Sequence, residues 1–410
     1  MKNVIGLLKI ENNGLRPRWL SEESVAIFIR DFRAIGNTGE TFAYLIADDK
    51  VLPAITKKGK NFTFAFDIRQ ALEDILFERY FSHTRPLYTY LPGFARECIP
   101  RNARKYIKRA GAALERKTGD PILRFPAWPI DRSLELLKYI ITETKPDDPF
   151  VRDTFSDARA NPRFILTHDI DSHRGFDTID RIRSMEEDYG VRSVWFIVGK
   201  AMEEQRAAIR ALLDSGNEIG LHGISHDNKI AFLKKTAIEK RLLKARKWIA
   251  DFHIRGFRSP SLFRTEQLLD ALSGYFEYDS SVPDTGVFSP YVFPSGCCSV
   301  FPFFRKKLLE VPVTLPMDSA LIFSGTRQEE IFDIWREKTR WIESVGGVGV
   351  LLTHAEPHFI GEKGMLKTYE RFLKYLVRET AFRTITASEV IAEGARKGSP
   401  TSAKRTKEYV

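Results

Sequence analysis

The sequence predicts an α/β chain whose larger part is a closed or nearly closed barrel of seven or eight β/α units, preceded by a mixed α/β segment. Three observations carry this. Short apolar runs alternate with amphipathic helical stretches over about 230 residues, the pattern of a parallel sheet. Several of those runs end in His or Asp, and in a parallel barrel all such ends open onto one face. The chain of 410 residues is 43% hydrophobic and 12% aromatic, which supplies a conventional core and excludes wholesale disorder.

At ~150 residues per domain the length suggests two or three domains. No run approaches the ~18 apolar residues that span a bilayer. The first apolar stretch is broken by Lys9 and Glu11 without a small-residue cleavage site, so a cytoplasmic protein is expected. Three cysteines cannot build a disulfide framework, and Cys297 and Cys298 are adjacent, too close for an ordinary bridge. Buried or idle thiols are expected there. Lys and Arg number 64 against 54 Asp and Glu, a net charge of +10, which favours anionic partners without choosing among them.

Residues 1–150 form the expected N-terminal segment. Phe42 to Ala47 and Phe62 to Phe66 read as short strands, and Arg69 to Tyr80 carries helical spacing at Leu72, Ile75, Leu76 and Phe77. Arg96, Arg101, Arg104, Lys105, Lys108, Arg109, Arg116 and Lys117 follow as a basic run, read as a solvated helix face or as a surface for phosphate-bearing partners such as an anionic membrane. Arg124 to Ile130 contains two prolines that exclude regular helix. It leads as a packed connector into a helix from Leu134 to Thr144.

Pro146, Pro149 and Pro162 punctuate the boundary. Barrel strands are expected at 164–167, 194–198, 218–221, 256–258, 276–278, 308–313, 348–353 and 382–385. The intervening helices are expected at 178–189, 202–213, 230–250, 265–272, 328–343 and 367–378. The barrel is bounded at 160–393, and 394–410, with five Lys or Arg among Gly, Ser, Pro and Thr, is expected to be a mobile basic tail.

The chemistry lies at the strand ends. His222 and His226, four apart on a turn, join Asp171 as a two-His, one-carboxylate set suited to a divalent ion such as Zn²⁺, with positions left for water and substrate. Asp169, two residues before Asp171, points to the same side of an extended chain and could take a proton from water bound to the ion. His354 could protonate a leaving amine. Arg258 could hold Asp169 ionised and oriented, and Asp279, with Asp284 competing, could hydrogen-bond His354 and keep it cationic. As extra ligands, His168, His173 and His358 are weaker candidates.

From about Arg163 to Glu393 these residues, in this order, resemble the polysaccharide deacetylase superfamily, which includes the nodulation-type chitooligosaccharide deacetylases and carbohydrate esterase family 4. Its motifs correspond here to Thr167-His-Asp-Ile-Asp171, His222-Gly-Ile-Ser-His226, Arg258-Ser-Pro-Ser261, Tyr278-Asp-Ser-Ser281 and Leu352-Thr-His354, with His222 51 positions after Asp171. The resemblance implies a deformed (β/α) barrel, a Zn²⁺-type ion and hydrolysis of N-acyl or related C–N bonds. Asp-Ile-Asp replaces the adjacent aspartates of the main family and resembles the branch with Asp-x-Asp, whose members act on non-sugar amides as well as glycans. Ser261 stands where an aromatic residue follows the proline, which alters the substrate wall.

The expected function is therefore metal-dependent hydrolysis of an amide, with an N-acetylated sugar of a cell-surface polysaccharide or its precursor as substrate, met in the cytoplasm or at the inner face of the membrane. Two alternatives stand beside it: the same chemistry on a cyclic imide, ureide or formamide, and a non-catalytic barrel binding glycan or nucleic acid. The complete His and carboxylate set disfavours the last. No Gly-x-Ser-x-Gly elbow is present, which disfavours serine hydrolase chemistry.

Overall fold

The computed structural model describes residues 1–410 except 12–16, 18, 21, 37–38, 82–84, 86–124, 147, 155–161, 287–294 and 397–410. The basic run from Arg96 to Lys117 and nearly all of the basic tail lie outside the described residues. By compactness the chain forms two units, one within 1–82, 110–152 and 284–299, the other within 83–109, 153–283 and 300–410.

The first unit contains an antiparallel sheet of β1 (Val4–Ile10), β2 (Ser24–Ile29), β3 (Glu40–Ala47), β4 (Lys50–Lys58) and β5 (Asn61–Phe64), in the order β2-β1-β3-β4-β5. Buried residues alternate strictly along β1, as in a sheet covered on one face. β3 and β5 match the sequence reading; β1, β2 and β4 were not expected, although β2 is apolar from Val25 to Ile29 and β1 is interrupted only by Gly6 and Lys9. Helix α1 (Ile68–Leu76) starts at Asp67, whose carboxylate accepts from Gln70 N at 3.0 Å, a regular N-cap. Helix α2 (Ser133–Thr144) follows Asp131, whose carboxylate accepts from Ala127 N at 2.7 Å and Ser133 N at 2.8 Å and so ties down the proline-rich connector. A short helix α3 (Pro149–Thr154) completes this stretch.

A piece taken from inside the range 160–393 also belongs to this unit. The Tyr80 hydroxyl donates to Gly296 O at 2.7 Å and accepts from Gly296 N at 2.9 Å. Cys297 and Cys298 beside it are buried.

The second unit is the barrel. Its strands are β6 (Arg163–Ile170), β7 (Ser193–Ile197), β8 (Glu218–Leu221), β9 (Gly256–Phe257), β10 (Tyr278–Asp279), β11 (Phe303–Arg305), β12 (Leu308–Glu310), β13 (Val348–His354) and β14 (Arg383–Thr384). The sheet runs β11-β12-β10-β9-β8-β7-β6-β13, with β14 also on β6. All its pairings are parallel except the β11–β12 hairpin. The free edge of β13 meets chain that has just left β12: Thr314 N and Leu315 N donate to Val350 O at 3.1 and 3.0 Å, and Val350 N donates to Thr314 Oγ1 at 2.7 Å. This irregular seam closes a deformed (β/α) barrel.

Helices α4 (Ile179–Asp188), α5 (Gly199–Glu204), α6 (Arg206–Asp214), α7 (Lys235–Asp251), α8 (Glu266–Leu272), α9 (Asp318–Ser324), α10 (Gln328–Val345), α11 (Lys363–Glu379) and α12 (Ala387–Arg396) surround it. The single helix expected at 202–213 is broken at Gln205 into α5 and α6, and α9 and α12 were not expected. Because α12 runs to Arg396, the first residues assigned to a mobile tail are helical.

Every residue of β6 is buried, as a strand covered on both faces requires. Thr167 and Asp169 face the barrel interior. His168, on the opposite face, lies between Thr353 Oγ1 at 2.8 Å and Glu186 Oε1 at 2.7 Å, so its ring nitrogens are committed to the layer between strands and helices and it is no ligand at the barrel mouth.

Candidate metal centre and its surroundings

Asp171 follows β6, and His222 and His226 follow β8 on a turn that reverses at Gly223, whose φ of 67° suits glycine. The three residues offer ligand atoms that all lie within 4.8 Å of one another. His222 Nε2 is 3.2 Å and His226 Nε2 3.4 Å from Asp171 Oδ1.

Two details test whether a cation fits. Asp171 Oδ1 is buried and has no hydrogen-bond partner among the described residues, a costly condition for a carboxylate oxygen. His222 Nδ1 is 3.1 Å from the Arg258 carbonyl, which can only accept, so Nδ1 carries the proton and Nε2 turns a lone pair towards Asp171. Lone pairs facing an orphaned carboxylate oxygen suit a shared cation, and the donor set fits a divalent ion.

Burial would raise the pKa of Asp171, but the charges of His226 and His354 and the approach of His222 outweigh it and hold the carboxyl well below the usual range. Burial pushes His226 below its ordinary value against the pull of Asp171. Ionised Asp and neutral His are the forms that ligate metals. The His-bearing turn is tied to helix α7, where Arg241 makes two bonds to Asp227, at 3.0 and 2.7 Å.

Asp169 is buried beside this group. Its Oδ2 is 3.6 Å from His222 Nε2, and its Oδ1 accepts from Arg258 Nη1 at 2.8 Å. Arg258 is wholly buried at the end of β9. Its guanidinium also donates to Thr167 Oγ1 at 2.8 Å, Ser280 O at 2.9 Å and Ser280 Oγ at 2.8 Å, and lies 4.0 Å from the centre of the Phe196 ring. That ring has room because Gly220 opposes it: a Cβ there would come within 2.4 Å of the ring edge.

Replacing Arg258 by Ala would leave a buried carboxylate unpaired, at a cost of about 3–5 kcal/mol, measurable by denaturant unfolding. Arg258→Lys keeps the charge but not the planar fork. It is expected to lower kcat about 100-fold through misplacement of Asp169.

His354 ends β13, and here the sequence expectation is corrected. Its Nδ1 is 2.7 Å from Asp318 Oδ1, and its backbone N donates to Asp318 Oδ2 at 2.9 Å. Asp318 opens helix α9 and was not singled out from sequence. The one available signal was an Asp at a helix start after Pro316, too common to point to a site. Burial would lower the His354 pKa, but the charge and hydrogen bond of Asp318, aided by Asp171 and Asp169, raise it to about 9.

Asp279 does not reach His354, because Ser281 Oγ and N occupy its oxygens at 2.8 and 2.9 Å. Burial raises the pKa of Asp279 and of its neighbour Glu310. Asp279 acts on the site's frame: Ser281 Oγ in turn accepts from Ser259 N at 2.8 Å, next to Arg258. Asp284 accepts from Thr285 N at 2.6 Å within the first unit. His173 is exposed and pairs with Glu204 at 3.3 Å.

Residues 159–275 match the polysaccharide deacetylase family, a stretch that contains Asp169, Asp171, His222, His226 and Arg258. The chain is similar to a peptidoglycan deacetylase of Helicobacter pylori, with 24% identity over 244 residues, covering 52% of this chain and 82% of the relative. Among solved structures it is similar to a family 4 carbohydrate esterase from Streptomyces lividans in complex with acetate, at 14% identity and a TM-score of 0.37 over 55% of this chain and 92% of that one. It is also similar to PuuE allantoinase, at 14% identity and a TM-score of 0.45 over 58% and 91%. The family match falls on the segment that brings these side chains together and identifies residues 159–275 as a polysaccharide deacetylase domain.

Proposed function

We propose that the protein is a metal-dependent hydrolase that removes the acetyl group from an N-acetylated sugar in a polysaccharide or its precursor. The observation that carries this reading is the convergence of Asp171, His222 and His226 on one orphaned carboxylate oxygen, beside an Arg-held Asp169 and an Asp-held His354. A divalent ion held by the three residues, Zn²⁺ by choice of donors, would polarise the acyl carbonyl and acidify water.

The protein's own groups then have separate tasks. Asp169, fixed through Oδ1 by Arg258, keeps Oδ2 towards the ligand group and takes the proton of the attacking water. His354, held protonated by Asp318, gives a proton to the departing nitrogen. Substrate is thus bounded by a base on β6 and an acid on β13, whose strands pair side by side with His354 opposite Asp169.

The name of the Helicobacter relative makes peptidoglycan the first polymer to assay. Ser261, exposed and with a φ of 55° at the rim, leaves open the wall that an aromatic residue would fill, and this favours comparison with small cyclic amides as a second substrate class. Acetate release from N-acetylglucosamine oligomers and peptidoglycan is expected to exceed ring opening of cyclic imides and ureides. The reverse order would transfer the reading to the second class. No described helix is long and apolar enough to cross a membrane. We place the reaction in the cytoplasm or at the membrane's inner face, which cell fractionation tests.

A further inference from the structure

Beyond the ligands and the acid–base pair, one buried carboxylate joins the two sides of the site. Glu356, two residues after His354, is only 3% exposed. Its Oε1 accepts from Ser172 N at 3.0 Å and Ser172 Oγ at 3.1 Å, and its Oε2 lies 3.0 Å from the same hydroxyl. Ser172 directly follows Asp171. The carboxylate therefore grips the peptide that carries the metal carboxylate from the strand that carries the proton donor.

The grip is itself supported. Phe359 N and Gly361 N donate to Glu356 O at 3.0 and 3.2 Å, Ala355 N donates to Asp169 O at 3.1 Å, and the Thr178 hydroxyl donates to Ala355 O. Gly175 packs against the carboxylate so closely that a Cβ there would lie 3.1 Å from Glu356 Oε1. Ser172 Oγ also accepts from Arg174 N at 3.3 Å, opening the turn 173–178. Burying a carboxylate next to another is unfavourable unless its bonds are needed. Two donors from one serine, the residue adjoining Asp171, are what it obtains.

We propose that Glu356 is a positioning residue for metal binding, acting through Ser172 to hold Asp171 at the point where His222 and His226 converge and to fix that point relative to His354. The inference rests on the metal reading above. Residues behind metal ligands typically change affinity by about 10–100-fold when removed, and a comparable loss is expected here.

The test uses the full chain and zinc itself, titrated against a chromophoric chelator, for wild type, Glu356→Ala, Glu356→Gln, Ser172→Ala and His222→Ala. Glu356→Ala is expected to weaken zinc binding about 10–100-fold and to recover most of its kcat at saturating zinc. In Glu356→Gln the amide oxygen still accepts from Ser172 N, so the loss should be smaller. Ser172→Ala, which removes one hydroxyl and keeps the backbone bond, should fall between Gln and wild type, and serves if Glu356→Ala does not fold. Wild-type zinc affinity in folded Glu356→Ala and Ser172→Ala would overturn the inference while leaving the metal site intact. A wild type that binds zinc no better than His222→Ala would overturn the metal reading and this inference with it.

Discussion

His222→Ala is expected to abolish retention of the ion and to reduce kcat/KM by about 1,000-fold or more, since a metal's polarisation of the reacting carbonyl supplies several kcal/mol and each 1.36 kcal/mol is about tenfold. The reason is local. His222 is fixed by the Arg258 carbonyl at 3.1 Å and presents its other nitrogen to Asp171 at 3.2 Å, so without it Asp171 keeps one imidazole partner and the ion loses a ligand that was already oriented. Asp171→Asn should behave alike, because it keeps the shape and removes the charge. Elemental analysis of purified protein beside the assay checks both: wild type should retain about one equivalent of ion per chain, as one three-ligand site would hold, and either variant much less. A variant that kept the ion and the wild-type rate would place the metal elsewhere and end the hydrolase reading as argued.

The second large effect belongs to Asp318. His354 is raised from 6.5 to about 9, with Asp318 as the chief support against burial. If the protonated ring is the acid, kcat/KM should hold on the alkaline side until the pH nears 9 and then fall. In Asp318→Asn the alkaline limb should move down towards 6.5, leaving only a few per cent of the ring protonated at pH 8 and cutting the rate there roughly 30-fold. The sign for stability follows from the same shift. Because the folded-state value is raised, the contribution of the pair is complete below about pH 6.5 and disappears as the pH climbs through 9. Unfolding curves of wild type should show that decline between pH 6.5 and 9, and Asp318→Asn should flatten it. An unchanged pH–rate profile in Asp318→Asn would remove His354 from the role of acid.

Both predictions depend on side chains whose place in the sequence was legible to different degrees. Asp171, His222 and His226 could be found because each stands at the end of an apolar run, and strand ends of a parallel barrel meet on one face. Asp169 and its partner Arg258 followed from the two-residue period of an extended chain and from the charge they share. The barrel strands were legible for the same reason: a strand buried on both faces is an uninterrupted apolar run. The N-terminal sheet was only half visible: β1 and β2 are short apolar runs without flanking chemistry to single them out, and β4 carries Pro53, which argues against a strand.

What the chain's sequence determined by itself was the barrel, the order of its strands along the chain, and the residue types that converge at its mouth. Only the tertiary structure decided which carboxylate serves His354, that Glu356 grips Ser172, and that Gly296 joins Tyr80 in the N-terminal unit. The physical reason is that periodicity reports which face of an element is buried, a local property of composition. Hydrogen-bond partnership depends on the distances between loops, which are set by strand register and barrel closure. Asp279 and Asp318 look alike as sequence, each an acidic residue next to serine, and they stand 39 positions apart. Closure of the barrel through Thr314 and Leu315 onto β13 brings Asp318 to His354, while Ser281 holds Asp279 in the wall.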